Sequence, residues 1–254
     1  MGWFTGVMAA IQHLNDIVPQ LLDEYYKKEQ DKLAQTIDSL KPDEKTLLYS
    51  VAETYRRMEQ LHGTRPILWN ATDNVKDVWN MIFHNLFTEG HTKYFIREMS
   101  LVYLITTFEE LEKQILSMAY LKKPEMLSTK DNTMTIEDII KSHDYGTIIS
   151  TLTNAKVSSI INKNPIELAD FLKTKFKLDL TQVNDWNKFI ERFYRRHLIV
   201  HQKGRIDQEY RNETGYNGTD ERVHTDSQYI ADSLIIFQKF AETITKFFVE
   251  KYQI

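Results

Sequence analysis

Arg196, His197 and His201 bring a guanidinium and two imidazoles into one short stretch of chain. An imidazole can give or take a proton near neutral pH. A guanidinium is planar, always charged and shaped for phosphate oxygens. These are the groups that acid–base catalysis on a phosphate ester uses, and such a scheme calls for no metal. Advancing about 100° per residue along a helix, His197 and His201 fall on the apolar face with Ile190, Phe193 and Val200. Arg196 falls on its margin, and Lys188, Glu191, Arg192 and Arg195 fall on the opposite side, which the pattern predicts to be solvated. A lone histidine on an apolar face is an ordinary hydrogen-bonded core residue, and a lone arginine there closes an ion pair. Three such groups on one helix read instead as a site. His197 and His201 are also spaced as a metal-binding pair, but no third ligand is identifiable in the sequence, so no metal is expected.

A helix must hold these groups, and the periodicity predicts one over about 181–203, stopped by Gly204. Shorter helices precede it at about 135–142, 144–162 and 165–176. Before those, a long helix is predicted from about Thr92 to Leu121, with its first half buried on most sides. Residues 204–225 read as a long loop. The final helix, about Asp226 to Tyr252, carries Ile230, Leu234, Phe237, Ala241, Ile244 and Phe248 at the alternating spacing of a bundle seam. Nearer the start, helices are expected from Trp3 to about Gln35, divided or kinked at Pro19, and from Pro42 to about Leu61. A third follows a cap at Asp73 or Asn74. Gly63 to Pro66 reads as a break and Gly90 as a boundary. The sum is an all-α protein: a helical bundle over 91–254 with an N-terminal helical extension over 1–90.

Composition agrees. In 254 residues there are only 8 Gly and 5 Pro, too few for the turns of a β-sandwich or barrel. Cysteine is absent, which excludes disulfides and thiolate metal sites and fits a reducing, cytoplasmic setting. The N-terminal stretch lacks a basic segment and a small-residue cleavage site, and no long uncharged apolar run occurs, so neither a signal peptide nor a membrane span is expected. No Gly-rich phosphate loop and no nucleophile elbow is present. Net charge is −4, yet between Lys188 and Arg211 seven basic residues face only three acidic ones. A solvated helix face is the ordinary reading of such a run; contact with a polyanion is the other.

The run Arg196-His-Leu-Ile-Val-His201 matches R-[N/H/D]-x-x-x-H, and the region around it resembles HEPN domains. A looser R-x(4–6)-H pattern also occurs at Arg57 to His62 and at Arg192 to His197 and carries little. The tighter form arises by chance roughly 0.05 times in a chain of this composition. Gly204, Asp207 and Tyr210, a Gly-containing loop and an amphipathic last helix follow the motif, as in a subgroup of bacterial HEPN proteins. The long helix bearing Phe108-Glu-Glu-Leu-Glu112 is similar to that subgroup's opening helix. The resemblance spans about 92–252 and leaves 1–90 uncovered. The H-x-Y extension of the adenylation-controlled toxin branch is missing, since Gln202 and Lys203 follow His201.

The resemblance implies a metal-independent endoribonuclease without cofactors, acting as a homodimer whose motif helices face each other. It implies Arg196 and His201 as catalytic residues, His197 as the polar second position, and an acid on the opening helix, Glu109 before Glu112, to orient the arginine. RNA, single-stranded or tRNA, is the implied partner, with Arg192, Arg195, Lys203 and Arg205 as backbone contacts. Tyr210, Tyr216 and Trp186 are candidates for base stacking, with packing as their competing role. Toxins and anti-phage effectors of bacteria are the implied biological class. The chemistry is self-consistent, because RNA supplies its own 2′-hydroxyl nucleophile. A non-enzymatic scaffold that dimerises or binds nucleotides is the alternative.

Overall fold

The computed structural model describes residues 2–59, 71–127, 135–142 and 144–254. Its helices are α1 (Gly2–Ser39), α2 (Pro42–Glu59), α3 (Asp73–Lys122), α4 (Ile136–Lys141), α5 (Tyr145–Ile161), α6 (Pro165–Phe171), α7 (Trp186–Gln202), α8 (Gln208–Thr214) and α9 (Ser227–Tyr252). Among the described residues there is no β-strand, only an isolated bridge between Arg205 and Arg222. The protein is all-α.

The chain divides into two compact units, one of residues 1–15 with 97–254, the other of residues 16–96. The expected division at residue 90 is therefore corrected at both ends. Phe4, Met8 and Ile11 belong to the core of the first unit, where the Phe4 and Phe108 rings meet edge to face at 6.1 Å. Gly90 lies inside α3 rather than at a boundary. The expected break at Gly63 to Pro66 lies outside the described residues.

The core of the first unit is built on one stripe of α3, Leu101, Leu104, Ile105 and Phe108, all fully buried. It meets the α9 seam, whose Ile230, Leu234, Phe237, Ala241, Ile244 and Phe248 are all buried. Phe189 of α7 stacks flat on Phe240 at 3.9 Å and 9°, and Phe108 packs edge-on against Phe189 and Phe237 at 5.3 and 5.1 Å. Each buried phenyl ring contributes about 1.5–3 kcal/mol. The expectation that the first half of the long helix is buried on most sides does not hold: Tyr94, Phe95, Met99 and Tyr103 are exposed. The residue run was apolar enough for burial, but only one stripe of it, Leu101, Leu104, Ile105 and Phe108, is fully buried.

In the second unit Leu40, Leu48, Val75, Val78 and Trp79 form a small core. Its buried Glu44 accepts hydrogen bonds from the Thr72 hydroxyl at 2.7 Å, the Lys41 N–H at 3.0 Å and Asn74 Nδ2 at 3.3 Å. Thr72, not Asp73 or Asn74, caps α3, its hydroxyl accepting from the Val75 N–H at 3.4 Å. Pro19 does not end α1.

Candidate active site

Helix α7 is held at both ends. At its start Asp185 pairs with Lys188 at 3.1 Å and with Lys239 of α9 at 3.0 Å, contacts that keep its carboxyl below the usual range. At its end Lys203 and Gly204 adopt left-handed backbone (φ 54° and 75°), and the Gly204 N–H donates to Leu198 O at 2.9 Å. Ile206 N–H then donates to Glu221 O, and Val223 N–H to Gly204 O, both at 2.9 Å. Asp207 accepts from Tyr210 N–H at 2.7 Å and so caps α8, a helix within the span read from sequence as loop.

The first half of α7 buries Phe189 and Ile190, the second half Leu198 and Ile199. Beyond Phe193 the predicted apolar face therefore leaves the core, and His197, Val200 and His201 emerge on the surface. Both histidines are exposed, not core residues. Their rings lie 4.7 Å apart between centroids, inclined at 47°.

Arg196, beside them, is half-buried and lines a cavity of about 360 Å³ together with His197, Tyr194, Lys163, Glu109 and Glu112. His201 is not among the lining residues and reaches the cavity only through His197. Arg196 Nη2 lies 3.9 Å from Glu109 Oε2, and Arg196 Nε is buried with no hydrogen-bond partner among the described residues. Burial raises the Glu109 carboxyl above its usual range, with Arg196 opposing. Glu112 lies one helical turn further along α3 and is 4% exposed. Burial first, and Glu109 second, push its carboxyl well up.

The expected RNA contacts separate into two groups. Lys203 and Arg205 are exposed. Arg192, Arg195 and Tyr210 are not available: they belong to a buried polar network centred on Glu191, a residue whose role the sequence reading missed. Glu191 Oε1 accepts from Arg195 Nε at 2.7 Å and Tyr210 OH at 2.6 Å; Oε2 accepts from Tyr229 OH at 2.7 Å and Arg192 at 3.2 Å. Arg192 also donates to Ser233 Oγ at 3.2 Å, and both guanidinium groups stack on the Tyr229 ring at 4.4 and 4.0 Å. Of the four residues predicted to be solvated, Lys188 is exposed, whereas Glu191, Arg192 and Arg195 lie on the side that α8 and α9 cover. The remaining stacking candidates are engaged as well. Tyr216 OH donates to Asp220 under a nearby Arg211, and Trp186 packs on Phe189 and Phe240.

Compared with known protein families, curated proteins and solved structures, the chain matches none. The chemistry must be read from the site itself. Among the described residues no group of three or more His, Asp or Glu is arranged to hold a metal ion, and no helix is long and apolar enough to cross a membrane. What the site offers is one guanidinium at a cavity, a carboxylate facing it, and two surface imidazoles one helical turn apart. That set can bind an anionic oxygen and exchange protons beside it.

Proposed function

We propose that the protein is a metal-independent endoribonuclease of HEPN type. The observation that carries this reading is the grouping of Arg196 and His197 at one cavity with His201 against His197. In the reaction the 2′-oxygen of RNA bonds to the adjacent phosphorus while the bond to the leaving 5′-oxygen breaks. One imidazole takes the proton of the 2′-hydroxyl and another protonates the leaving oxygen. Arg196 neutralises the non-bridging oxygens, and Glu109 orients it. The product is a 2′,3′-cyclic phosphate, and no cofactor is required. The exposed strip of His197, Val200 and His201 suits a second copy of α7, so that a homodimer assembles the full complement of acids and bases. The substrate is RNA, single-stranded or tRNA, and the biological role is that of a toxin or anti-phage effector acting in the cytoplasm.

The test is incubation of wild type and His201→Ala with total tRNA in excess EDTA. Cleavage by wild type alone, with cyclic phosphate ends, supports the reading. Cleavage that survives removal of the scissile 2′-hydroxyl overturns it, as does activity that EDTA abolishes. If wild type is inert, the helical bundle serves as a dimerising or nucleotide-binding scaffold.

A further inference from the structure

Two arginines that the cleavage chemistry does not use stand opposite each other beyond the end of α7. The chain after Gly204 meets residues 221–223 running the other way, and Arg205 and Arg222 are the bridged pair. Ile206 N–H donates to Glu221 O and Val223 N–H to Gly204 O, so the two bonds flank the pair rather than join it. In such a non-hydrogen-bonded pair the side chains leave the same face, with Cβ atoms about 4.5–5.5 Å apart. Side chains alternate along an extended chain. Gly204 and Val223 are buried, and Arg205 and Arg222 are exposed.

Like charges set directly opposite each other repel and weaken the pairing. A shared carboxylate relieves such repulsion, as Glu191 does for Arg192 and Arg195. Arg205 and Arg222 have no such acid. Among the described residues neither closes a salt bridge or a side-chain hydrogen bond. Glu98, half-buried on α3, feels the charge of Arg222 without pairing with it. Asp220 accepts from the Tyr216 hydroxyl, and Glu221 joins neither arginine.

We propose that Arg205 and Arg222 together clamp one phosphate of the RNA backbone, flanking the phosphate that is cut. The inference rests on the ribonuclease reading and adds a phosphate subsite to it. A guanidinium binds phosphate oxygens through two parallel hydrogen bonds, and two guanidiniums on one face hold one phosphate between them. The anion then supplies the charge that no carboxylate supplies and cancels the repulsion. Arg205 lies four residues past His201, and Lys203 between them is exposed as well, so the pair extends the cationic end of α7. A clamp of this kind reads phosphate and neither base nor sugar, so single-stranded DNA occupies it too.

The experiment is fluorescence anisotropy with a short labelled oligodeoxythymidylate, which offers the clamp phosphates and no 2′-hydroxyl to attack. Arg205→Gln and Arg222→Gln are each expected to weaken binding on the order of tenfold. The double variant is expected to lose little more than either single, because both groups serve one phosphate. Arg222→Lys keeps the charge but loses the planar fork, and is expected to recover only part of the affinity. Lys188→Gln, at the other end of α7, is expected to bind as wild type does. The glutamine variants should unfold at or above the wild-type midpoint, since each removes a repulsion; a lower midpoint would assign the arginines to the fold. No binding by wild type, wild-type binding by Arg222→Gln, single losses that multiply in the double variant, full recovery in Arg222→Lys, or an equal loss in Lys188→Gln each overturns the proposal. Arginine-dependent binding without RNA cleavage leaves the clamp and removes the ribonuclease. RNA cleavage with binding indifferent to both arginines does the reverse.

Discussion

Arg196 and Glu109 face each other with Nη2 and Oε2 3.9 Å apart, and both side chains are partly exposed. A charge-assisted hydrogen bond closes to about 2.7–2.9 Å, so this pair steers the guanidinium without clamping it. Partly exposed pairs of this kind contribute at most about 1 kcal/mol to stability. Glu109→Gln is therefore expected to change the urea unfolding free energy by less than about 1 kcal/mol, yet to lower kcat for RNA cleavage by about tenfold with little change in KM. Arg196→Lys loses the planar fork and is expected to cost about a hundredfold or more. A Glu109→Gln variant that unfolds easily, or that cleaves as wild type does, would show that the carboxylate serves the fold or nothing at all.

Glu112 makes a prediction about pH. Burial, and then Glu109, hold its carboxyl well above the ordinary glutamate value of 4.5. In the unfolded chain it releases its proton at the ordinary value, so above that pH the folded state binds more protons than the unfolded one. Stability must then fall as pH rises through the window between the two. Glu112→Gln cannot ionise and escapes this loss. The variant should match wild type near pH 4 and exceed it increasingly towards about pH 8. Urea midpoints across that range check it, and a gap that stays constant with pH would sink it.

Some of this was legible in residue order and some was not, for reasons that differ by element. The α9 seam was legible because its six core residues keep one spacing for the whole helix, and every one is buried. The C-terminal stop of α7 was legible because Gly204 takes a left-handed backbone that glycine favours. Gly90 misled because one glycine inside a helix costs only about 1 kcal/mol, which the rest of α3 outweighs. Helix α8 was missed because seven residues carry too little periodicity, although its capping Asp207 was visible. The motif itself stood out in the sequence. The placement of Arg196 at a cavity, and of Arg192 and Arg195 away from solvent, depended on which distant helices cover which face of α7. A helical wheel does not contain that information.

The exposed cations and the buried ones should behave differently in RNA binding. Lys203 and Arg205 are exposed at the end of α7. If each meets a phosphate, Lys203→Ala and Arg205→Ala each weaken binding uniformly across sequences and lower the slope of log K against log salt by about one. Filter binding with an inactive His201→Ala background, repeated at several salt concentrations, reads the slope directly. An unchanged slope in both variants would remove them from the RNA interface.

The buried cations answer to Glu191. Its carboxylate, 16% exposed, lies against Arg192 and Arg195, themselves 7% and 13% exposed, and also accepts from Tyr210 and Tyr229. Removing it leaves two guanidinium groups and two phenols without their common acceptor in a place water barely reaches. Breaking a buried pair in this way costs about 3–5 kcal/mol. Glu191→Ala is expected to lower the unfolding free energy by about 3 kcal/mol or more, whereas Tyr229→Phe, which removes one hydrogen bond to a charged group, costs about 1.5–3 kcal/mol. Chemical denaturation of both variants measures this. The pair also tests for coupling: a Glu191→Ala, Tyr229→Phe double variant should be less destabilised than the sum of the singles, because the phenol hydroxyl is already orphaned once the carboxylate is gone. Strict additivity would mean that Tyr229 holds α9 to α7 through its ring and the stacked arginines alone.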